Sequence, residues 1–387
     1  MKIKLNAGEL YKKLEHLLKV VPSKTSIQAL NNVLIETRGD VVLVTASDSE
    51  MWLSVKCNLD DCVEGGRLCV GAIELASFMK NIGDRAVTMT SNSGTNSITC
   101  EYDNGSFSMP YENADDFPLY NFGEEKTTDV IIDGSLIYNS IEMTRFAAAN
   151  NEQLRPVLNG VHVDFYTDCI ITTAASHQKI AIFKEKNVPF ADGRNGGFTM
   201  TKKAAAVLSS MLGSVDGEVK ISFNSKSMSV NNSFFKFYSV LIEYPYPDCR
   251  KLIPTDKKCL VTIDKESLLL ALKRITPATN DMSNLVMFDF SEGQVTLSAD
   301  NAQYGKSASE TVPCDCDGFV SIGFKGSEII ETLRNIDDDD IVIELTDESH
   351  AGVFYSAFKY TRDEYVALCM PMLTNFKREC PPPLGVG

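Results

Sequence analysis

Residues 30–36 of the chain read LNNVLIE, and residues 158–164 read LNGVHVD, 128 positions further on. Downstream of both copies, an alanine recurs in VTASD at 44–48 and in TTAAS at 172–176, and a third version, LSADN, occupies 297–301. These alanines are Ala46, Ala174 and Ala299, so their offsets are 128 and 125. Because the offsets stay nearly constant across separate segments, we infer three tandem repeats of about 125–130 residues.

Each repeat opens with a short alternating strand, at residues 3–5, 130–132 and 261–263, followed by a polar turn and an amphipathic helix. Asp133 and Asp264 lie where helix N-caps are expected. A second helix is predicted in each repeat, at ELASFMKNI, KKAAAVLSSML and SEIIETLRNI, and further strands follow it. The predicted order is β-α-β-β-β followed by α-β-β-β. This order indicates an α+β fold with two helices packed on antiparallel sheets in each repeat.

Composition indicates a reduced protein with a sizeable core. The 387 residues suffice for two to four domains, and no apolar run reaches the length of a membrane helix. The N-terminus lacks the apolar core of a signal peptide. The eleven cysteines include no CxxC pair, and the four histidines show no ligand spacing. We therefore expect a cytoplasmic protein with no structural metal and no cofactor.

The net charge of −15 predicts long-range repulsion of nucleic acid by the surface as a whole. A DNA-binding function is compatible with this charge only if cations are concentrated on the surface that meets the phosphates.

Three segments, LRPVLNGVHVDF, YPYPDCRKLIP and YVALCMPM, occur within this triplicated pattern. Together they resemble the bacterial DNA polymerase III β subunit family of replicative sliding clamps, over nearly the whole chain. The resemblance implies three clamp-type domains at 1–124, 125–255 and 256–376, with a disordered tail at 377–387. It also implies a homodimeric six-domain ring around double-stranded DNA, with helices lining the hole, that tethers the replicative polymerase and other clients for processivity.

A ring answers the objection raised by the charge, because DNA would meet only the inner helices. The resemblance and the position of cations in or next to the helices indicate a DNA-near set: Lys24, Lys80, Arg145, Arg155, Lys202 and Lys203. One arginine of the family pattern is replaced here by Ile73. The alternative is that these cations belong to ordinary solvated helix faces.

In the family, clients dock a short hydrophobic-aromatic peptide between domains two and three. The matching positions are Leu158, Ala175, Ile180, Pro247, Leu252, Leu368, Met370, Pro371 and Met372. Methionine walls suit a promiscuous pocket, since the side chain is flexible and polarizable. The alternative is that the terminal strand simply packs into a core. Two positions depart from the family pattern, at His177 and at Leu373.

The two alternative functions are an enzyme and a repeat scaffold. An enzyme would need a titratable constellation, and the chain has no Walker loop, nucleophile elbow or HExxH motif; the acidic run at 337–340 is predicted to be a solvated turn. Because no nucleotide site is recognisable, ring opening would require a separate ATP-dependent clamp loader. The second alternative is a repeat scaffold that binds protein partners without encircling DNA.

Overall fold

The structure is a computed structural model that describes residues 1–120, 126–186, 188 and 196–372. The predicted tail at 377–387, the position Leu373 and the last residues of the predicted third domain lie outside these ranges. Within them, no helix combines the length and the apolar character needed to cross a membrane.

The first repeat begins with a strand that leads directly into a helix, as predicted. Its elements are β1 (Lys2–Asn6), α1 (Ala7–Leu17), β2 (Asn32–Arg38), β3 (Val41–Ser47), β4 (Met51–Asn58), β5 (Asp61–Glu64), β6 (Arg67–Gly71), α2 (Ala72–Ile82), β7 (Ala86–Asn92), β8 (Ser97–Tyr102) and β9 (Gly105–Glu112).

The second repeat follows the same order without a counterpart of β5 among its described residues. Its elements are β10 (Thr128–Asp133), α3 (Gly134–Glu142), β11 (Gly160–Phe165), β12 (Cys169–Ala175), β13 (Lys179–Lys186), β14 (Gly196–Thr201), α4 (Lys202–Leu212), β15 (Glu218–Phe223), β16 (Ser227–Asn231) and β17 (Phe235–Val240).

The third repeat again places two helices among its strands. Its elements are β18 (Cys259–Asp264), α5 (Lys265–Ile275), β19 (Leu285–Ser291), β20 (Gln294–Asn301), β21 (Lys306–Pro313), β22 (Asp315–Cys316), β23 (Val320–Lys325), α6 (Gly326–Arg334), β24 (Asp340–Leu345), β25 (Gly352–Ser356) and β26 (Tyr365–Cys369).

The predicted count of seven strands per repeat was too low by two in the first and third repeats and by one in the second. An additional strand, β6, β14 or β23, leads straight into the second helix. These strands are short and contain or adjoin glycines, as in Gly65-Gly66 and Gly196-Gly197, so they resemble turns when read from the sequence.

The predicted helix caps at Asp133 and Asp264 are confirmed. The Asp264 carboxylate accepts a hydrogen bond from the Ser267 backbone N–H at 2.7 Å, and the Asp133 carboxylate accepts one from the Ser135 N–H at 2.8 Å. In the first repeat the cap is Asn6, whose side chain accepts from the Glu9 N–H. Each repeat therefore begins its first helix with a side-chain oxygen that satisfies a free backbone donor.

The chain forms two compact units. The first contains residues 1–138 and 203–243 and holds a thirteen-stranded sheet in the order β10-β15-β16-β17-β4-β3-β2-β6-β9-β8-β7-β1-β5. The second contains residues 139–202 and those described from 244 onward. It holds a nine-stranded sheet, β14-β11-β12-β13-β26-β25-β24-β18-β22, and a four-stranded sheet, β21-β20-β19-β23.

The sheets continue across repeat boundaries by a common rule. The last strand of the second repeat, β17, pairs antiparallel with β4, the third strand after α1. The last strand of the third repeat, β26, pairs in the same way with β13, the third strand after α3. Within each unit, strands from neighbouring repeats therefore share a single hydrogen-bonded ladder.

Candidate functional site

The predicted groove residues of the second unit begin with a row that runs across three strands. Ala175 lies opposite Ile180 in the β12–β13 pair, and Ile180 lies opposite Leu368 in the β13–β26 pair. All three side chains are at least 97% buried. We call Ala175, Ile180 and Leu368 the outer row, because they point away from the face that packs on α6.

The opposite face of the same strands is identified by the contacts of Cys369. Its sulfur lies 3.3 Å from the Thr332 hydroxyl of α6. Since successive side chains on a strand point to opposite faces, Leu368 and its partners lie on the face without this helix.

The segment that follows β17, the last strand of the second repeat, lies along the outer face. The Tyr246 ring stacks on His162 of β11, with 4.9 Å between centroids and 6° between planes. Further on, Arg250 and Ile253 line a cavity of about 260 Å³ together with Ile182 and Val366. Ile182 and Val366 lie opposite each other, two positions from Ile180 and Leu368. The cavity therefore lies on the face of the outer row.

Other predicted groove residues differ in exposure. Leu158 is buried in the short helix Pro156–Asn159. Pro247 is exposed, and Leu252, at the end of the short helix Cys249–Leu252, is 53% exposed. Leu252 thus offers an apolar surface beside a segment that contacts the outer face.

The Met-Pro-Met segment, Met370, Pro371 and Met372, connects the two sheets of this unit. The Met370 N–H donates to the Gln178 carbonyl at 2.8 Å, and the Met372 N–H donates to the Gly323 carbonyl at 2.8 Å. Pro371, which has no N–H, lies between these two bonds. The segment also lines a cavity of about 120 Å³ with Phe324 and Ile329.

The structure therefore brings the predicted groove residues together in two groups. The outer row forms part of one face of the nine-stranded sheet. The Met-Pro-Met segment lies beside α6 and β23. Of the cavities described above, neither is lined by all nine residues. Their assignment as one client groove stays a prediction.

Sequence reasoning missed a buried ion cluster next to this segment. The Lys179 ammonium lies 2.7 Å from a Glu328 carboxylate oxygen and is also paired with Glu331. It lies 5.5 Å from the centroid of the Phe146 ring. Burial lowers the pKa of Lys179, but hydrogen bonds to both carboxylates outweigh it, and the net pKa is raised. Lys179 lies directly opposite Cys369, so it faces α6.

Three of the predicted DNA-near cations are engaged with the protein itself. Arg145 forms two hydrogen bonds with Glu142, at 2.7 and 3.0 Å. The Lys203 ammonium lies 2.6 Å from Asp48. Lys202 donates to the Ala148 carbonyl at 2.8 Å, and its burial lowers its pKa. The carboxylates of Glu142 and Asp48 offset the charges of Arg145 and Lys203, and the carbonyl bond occupies a donor of Lys202.

The other three predicted cations are exposed. Lys24 lies in the loop after α1, Lys80 in the last turn of α2, and Arg155 just before the short helix Pro156–Asn159. Within the described part of the chain, none of the three forms a salt bridge. Lys80 lies over the Tyr11 ring of α1 at 5.8 Å, which leaves its charge uncompensated.

Polar clusters elsewhere have structural partners. The Asp338 carboxylate accepts hydrogen bonds from the Phe358 and Lys359 N–H groups; although burial opposes ionisation, these bonds and one from Ser356 lower its pKa to about 2. His16 is partly buried, and its Nδ1 lies 2.9 Å from the Ser210 hydroxyl. Among the described residues, no group of three or more His, Cys, Asp or Glu side chains could hold a metal ion.

Models of one protein family match the chain in three consecutive segments. The DNA polymerase III beta subunit N-terminal domain matches residues 1–121, the central domain residues 131–248, and the C-terminal domain residues 250–372.

Curated relatives match over most of their length. The Beta sliding clamp of Pseudomonas aeruginosa is 23% identical over 364 residues, which cover 94% of this chain and 97% of that protein. The Beta sliding clamp of Staphylococcus aureus strain Mu50 is 23% identical over 340 residues, which cover 85% and 88%.

Solved structures share the fold. A DnaN sliding clamp from P. aeruginosa, bound to griselimycin, gives a TM-score of 0.88 at 23% identity and covers 97% of this chain and 100% of its own. The DNA polymerase III beta subunit of Thermotoga maritima gives a TM-score of 0.87 at 19% identity, with coverages of 96% and 99%. The predicted α+β fold with three clamp-type domains is confirmed.

Proposed function

The chain belongs to the bacterial DNA polymerase III beta subunit family and is a DNA sliding clamp; we propose that two copies close head to tail into a six-domain ring around duplex DNA. Its partners in replication are DNA and the polymerase. The scaffold alternative, which would bind proteins without encircling DNA, lacks support from the relatives.

The observation that carries the ring is the pairing rule between repeats. The last strand of a repeat pairs with the third strand after the first helix of the preceding repeat, as β17 does with β4 and β26 with β13. Two strands are left over by this rule: β9 ends the first repeat, and β21 is the third strand after α5. We infer that β9 of one copy pairs with β21 of the other.

Both leftover strands have a free edge within the described chain. β21 is the terminal strand of the four-stranded sheet and pairs only with β20. β9 pairs with β8 along its length, but on its other edge it pairs with β6 only at Tyr111 and Glu112. Unpaired edges of this kind favour addition of another strand. A two-fold axis would use both edges of both copies and leave none open.

Domain limits, client binding and loading are proposed together with this ring. We propose domains at 1–124, 125–255 and 256–376, and a client groove formed by the outer row, Leu158, Pro247, Leu252 and the Met-Pro-Met segment. The clamp would act in the cytoplasm as a processivity factor without catalysis of its own. A separate ATP-dependent clamp loader would open it.

The ring is tested first by light scattering across a dilution series of the full chain. A species of twice 42.6 kDa is expected. The variant Phe107→Asp, on the free edge of β9, should lower the mass toward that of a monomer, because a charge is placed in the proposed ladder. Phe319→Asp, which replaces another exposed phenylalanine, should not.

A second readout distinguishes a ring from an ordinary dimer. After loading, the chain should be retained on circular DNA and lost from the same DNA once it is linearised. A persistent monomer at micromolar concentration, or equal retention on both forms, would contradict the proposal.

A further inference from the structure

A cleft of about 570 Å³ lies on the thirteen-stranded sheet of the first unit. Its lining includes Leu34, Trp52 and Tyr120, with Lys236 beside Tyr120. Lys56 and Glu36, and then Arg38, line it at the following positions along the strands. We call it the aromatic cleft. Its volume is within the range of established ligand sites, about 300–1,000 Å³, and no part of the proposed function uses it.

The repeat register places this cleft at the counterpart of the outer row. Trp52 lies opposite Tyr238 in the β4–β17 pair, as Ile180 lies opposite Leu368 in the β13–β26 pair. The offset between Trp52 and Ile180 is 128, the offset of the repeat itself. Lys56 and Lys184 are related by the same offset, and each lines the cavity of its own unit. The repeat thus forms a cavity at the same register twice.

The aromatic end is held in place by its own contacts. The Trp52 indole N–H donates to the Pro118 carbonyl at 2.7 Å. Tyr238 packs edge-on against Trp52 at 5.3 Å, and Tyr120 stacks on Tyr238 at 4.7 Å. Leu119, which lies between Pro118 and Tyr120 in the chain, is 66% exposed at the rim of the cleft. A preorganised apolar end of this kind can take one large side chain at small entropic cost.

The cleft is cationic on a chain whose net charge is −15. Arg38, Lys56 and Lys236 are exposed, and none of them forms a salt bridge within the described residues. The carboxylate nearest to them along β2, Glu36, is paired with Arg67 at 2.9 Å. Three uncompensated cations beside an apolar end favour an anionic ligand.

The spacing of these groups suits an extended segment. Leu34 and Arg38 are separated by four positions on one strand, or about 13 Å. Nucleic acid fits less well, because base stacking requires free ring faces. Trp52 is only 7% exposed, and Tyr120 has Tyr238 on one side and the Lys236 ammonium 5.0 Å from its ring centroid.

We propose that the aromatic cleft is a second docking site, separate from the predicted client groove, for an acidic peptide with a large apolar side chain at one end. The apolar side chain packs on Leu119 and Tyr120 at the rim, beside the small exposed part of Trp52. The carboxylates lie along Lys236, Lys56 and Arg38.

The test uses the full chain and fluorescein-labelled pentapeptides made of one phenylalanine, one serine and three acidic residues, in both orders. Fluorescence anisotropy measures affinity. Emission from Trp52, the single tryptophan, is recorded with unlabelled peptide and reports contact at the cleft. Two kinds of comparison ligand are used. They are neutral peptides, in which asparagine and glutamine replace the acidic residues, and an oligothymidylate of twelve nucleotides.

At least one acidic peptide is expected to bind and to change the Trp52 emission. The double variant Lys56→Glu with Lys236→Glu should weaken binding of the acidic peptide at least about tenfold, because two charges that attract the peptide are replaced by charges that repel it. Lys2→Glu with Lys4→Glu, an equal charge change on exposed positions of β1 in the same sheet, should leave affinity within about twofold. Met370→Glu with Met372→Glu should also leave it unchanged, which separates this site from the client groove.

Four outcomes would overturn the proposal. They are absence of acidic-peptide binding, equal binding of the neutral peptides, equal weakening by the β1 variant, and binding of the oligothymidylate in place of the peptides.

Discussion

The Lys179 ammonium is buried between the nine-stranded sheet and α6, and its side chain is only 7% exposed. A buried charge of this kind is tolerated only when it is paired, since removing the partners leaves the desolvation cost uncompensated. Its two partners, Glu328 and Glu331, both belong to α6. The ion cluster therefore ties a strand of the second repeat to a helix of the third.

We predict that Glu328→Gln with Glu331→Gln lowers the free energy of unfolding by about 3 kcal/mol, because the ammonium stays buried without a counter-charge. Lys179→Met should cost less than half as much. It fills similar space, and Glu328 keeps Lys325 at 3.4 Å. Urea unfolding followed by circular dichroism measures both, and equal losses would contradict this account.

The same pair predicts a pH window. Burial raises the pKa of Glu328, but hydrogen bonding to Lys179 outweighs it, so the folded pKa is lowered. Its contribution is present above the unfolded pKa of about 4.3 and is lost as pH falls through the folded value. Lys179, whose pKa is raised, contributes below about pH 10.4. The stability difference between the wild type and Lys179→Met should therefore shrink below pH 4.

Elements differ in how well their sequence predicts them. The first helix of each repeat is predicted because its signals are local: an alternating strand, a capping oxygen such as Asp264, and apolar spacing on one face. The strands β6, β14 and β23 are missed because glycines around a few apolar residues are also typical of turns.

Contacts between residues that are far apart in the chain are harder to predict from the sequence. That Trp52 faces Tyr238, or that Lys179 faces Glu328, depends on which strands pair across repeats, and hydrophobic patterns do not specify this. The repeat offset does carry part of the signal. It aligns Trp52 with Ile180, a residue of the predicted groove, and this alignment indicates where the aromatic cleft lies.

The Met-Pro-Met segment is the element on which client binding is predicted to depend. Met370→Glu with Met372→Glu should weaken binding of a labelled serine-rich peptide with one leucine and a terminal phenylalanine by at least about tenfold, because a charge in an apolar pocket must be desolvated. Fluorescence anisotropy measures the affinity, and light scattering checks that assembly is retained.

Met282→Glu with Phe319→Glu is the matched control, since both side chains are exposed and neither lines the cavity beside α6. Unchanged peptide affinity in the Met370 and Met372 variant would remove this segment from the groove. Equal weakening in the control would show that added negative charge alone is responsible.

The whole molecule has a net charge of −15 but carries a few exposed cations without a carboxylate partner near its helices. Lys203 and Arg145 are ion-paired, and Lys202 is bonded to a carbonyl, so they can contribute little to a sliding surface. We therefore predict that sequence-independent contact with phosphates depends on exposed groups such as Lys24, Lys80 and Arg155. Few and separated contacts suit movement along DNA, because each phosphate contact adds affinity that depends on salt.

This distribution can be tested through the salt dependence of DNA binding. Replacing Lys24, Lys80 and Arg155 by glutamate should lower the slope of log affinity against log salt concentration by about 2 to 3, since each lost phosphate contact removes about 0.9. The control variant replaces three exposed lysines on or beside sheet strands by glutamate: Lys2, Lys4 and Lys258. It changes the net charge by the same amount and should leave the slope nearly unchanged. Affinity for a short duplex is measured at four salt concentrations. If both variants lost the same slope, DNA would be responding to total charge, and the three proposed cations would have no special place in the ring.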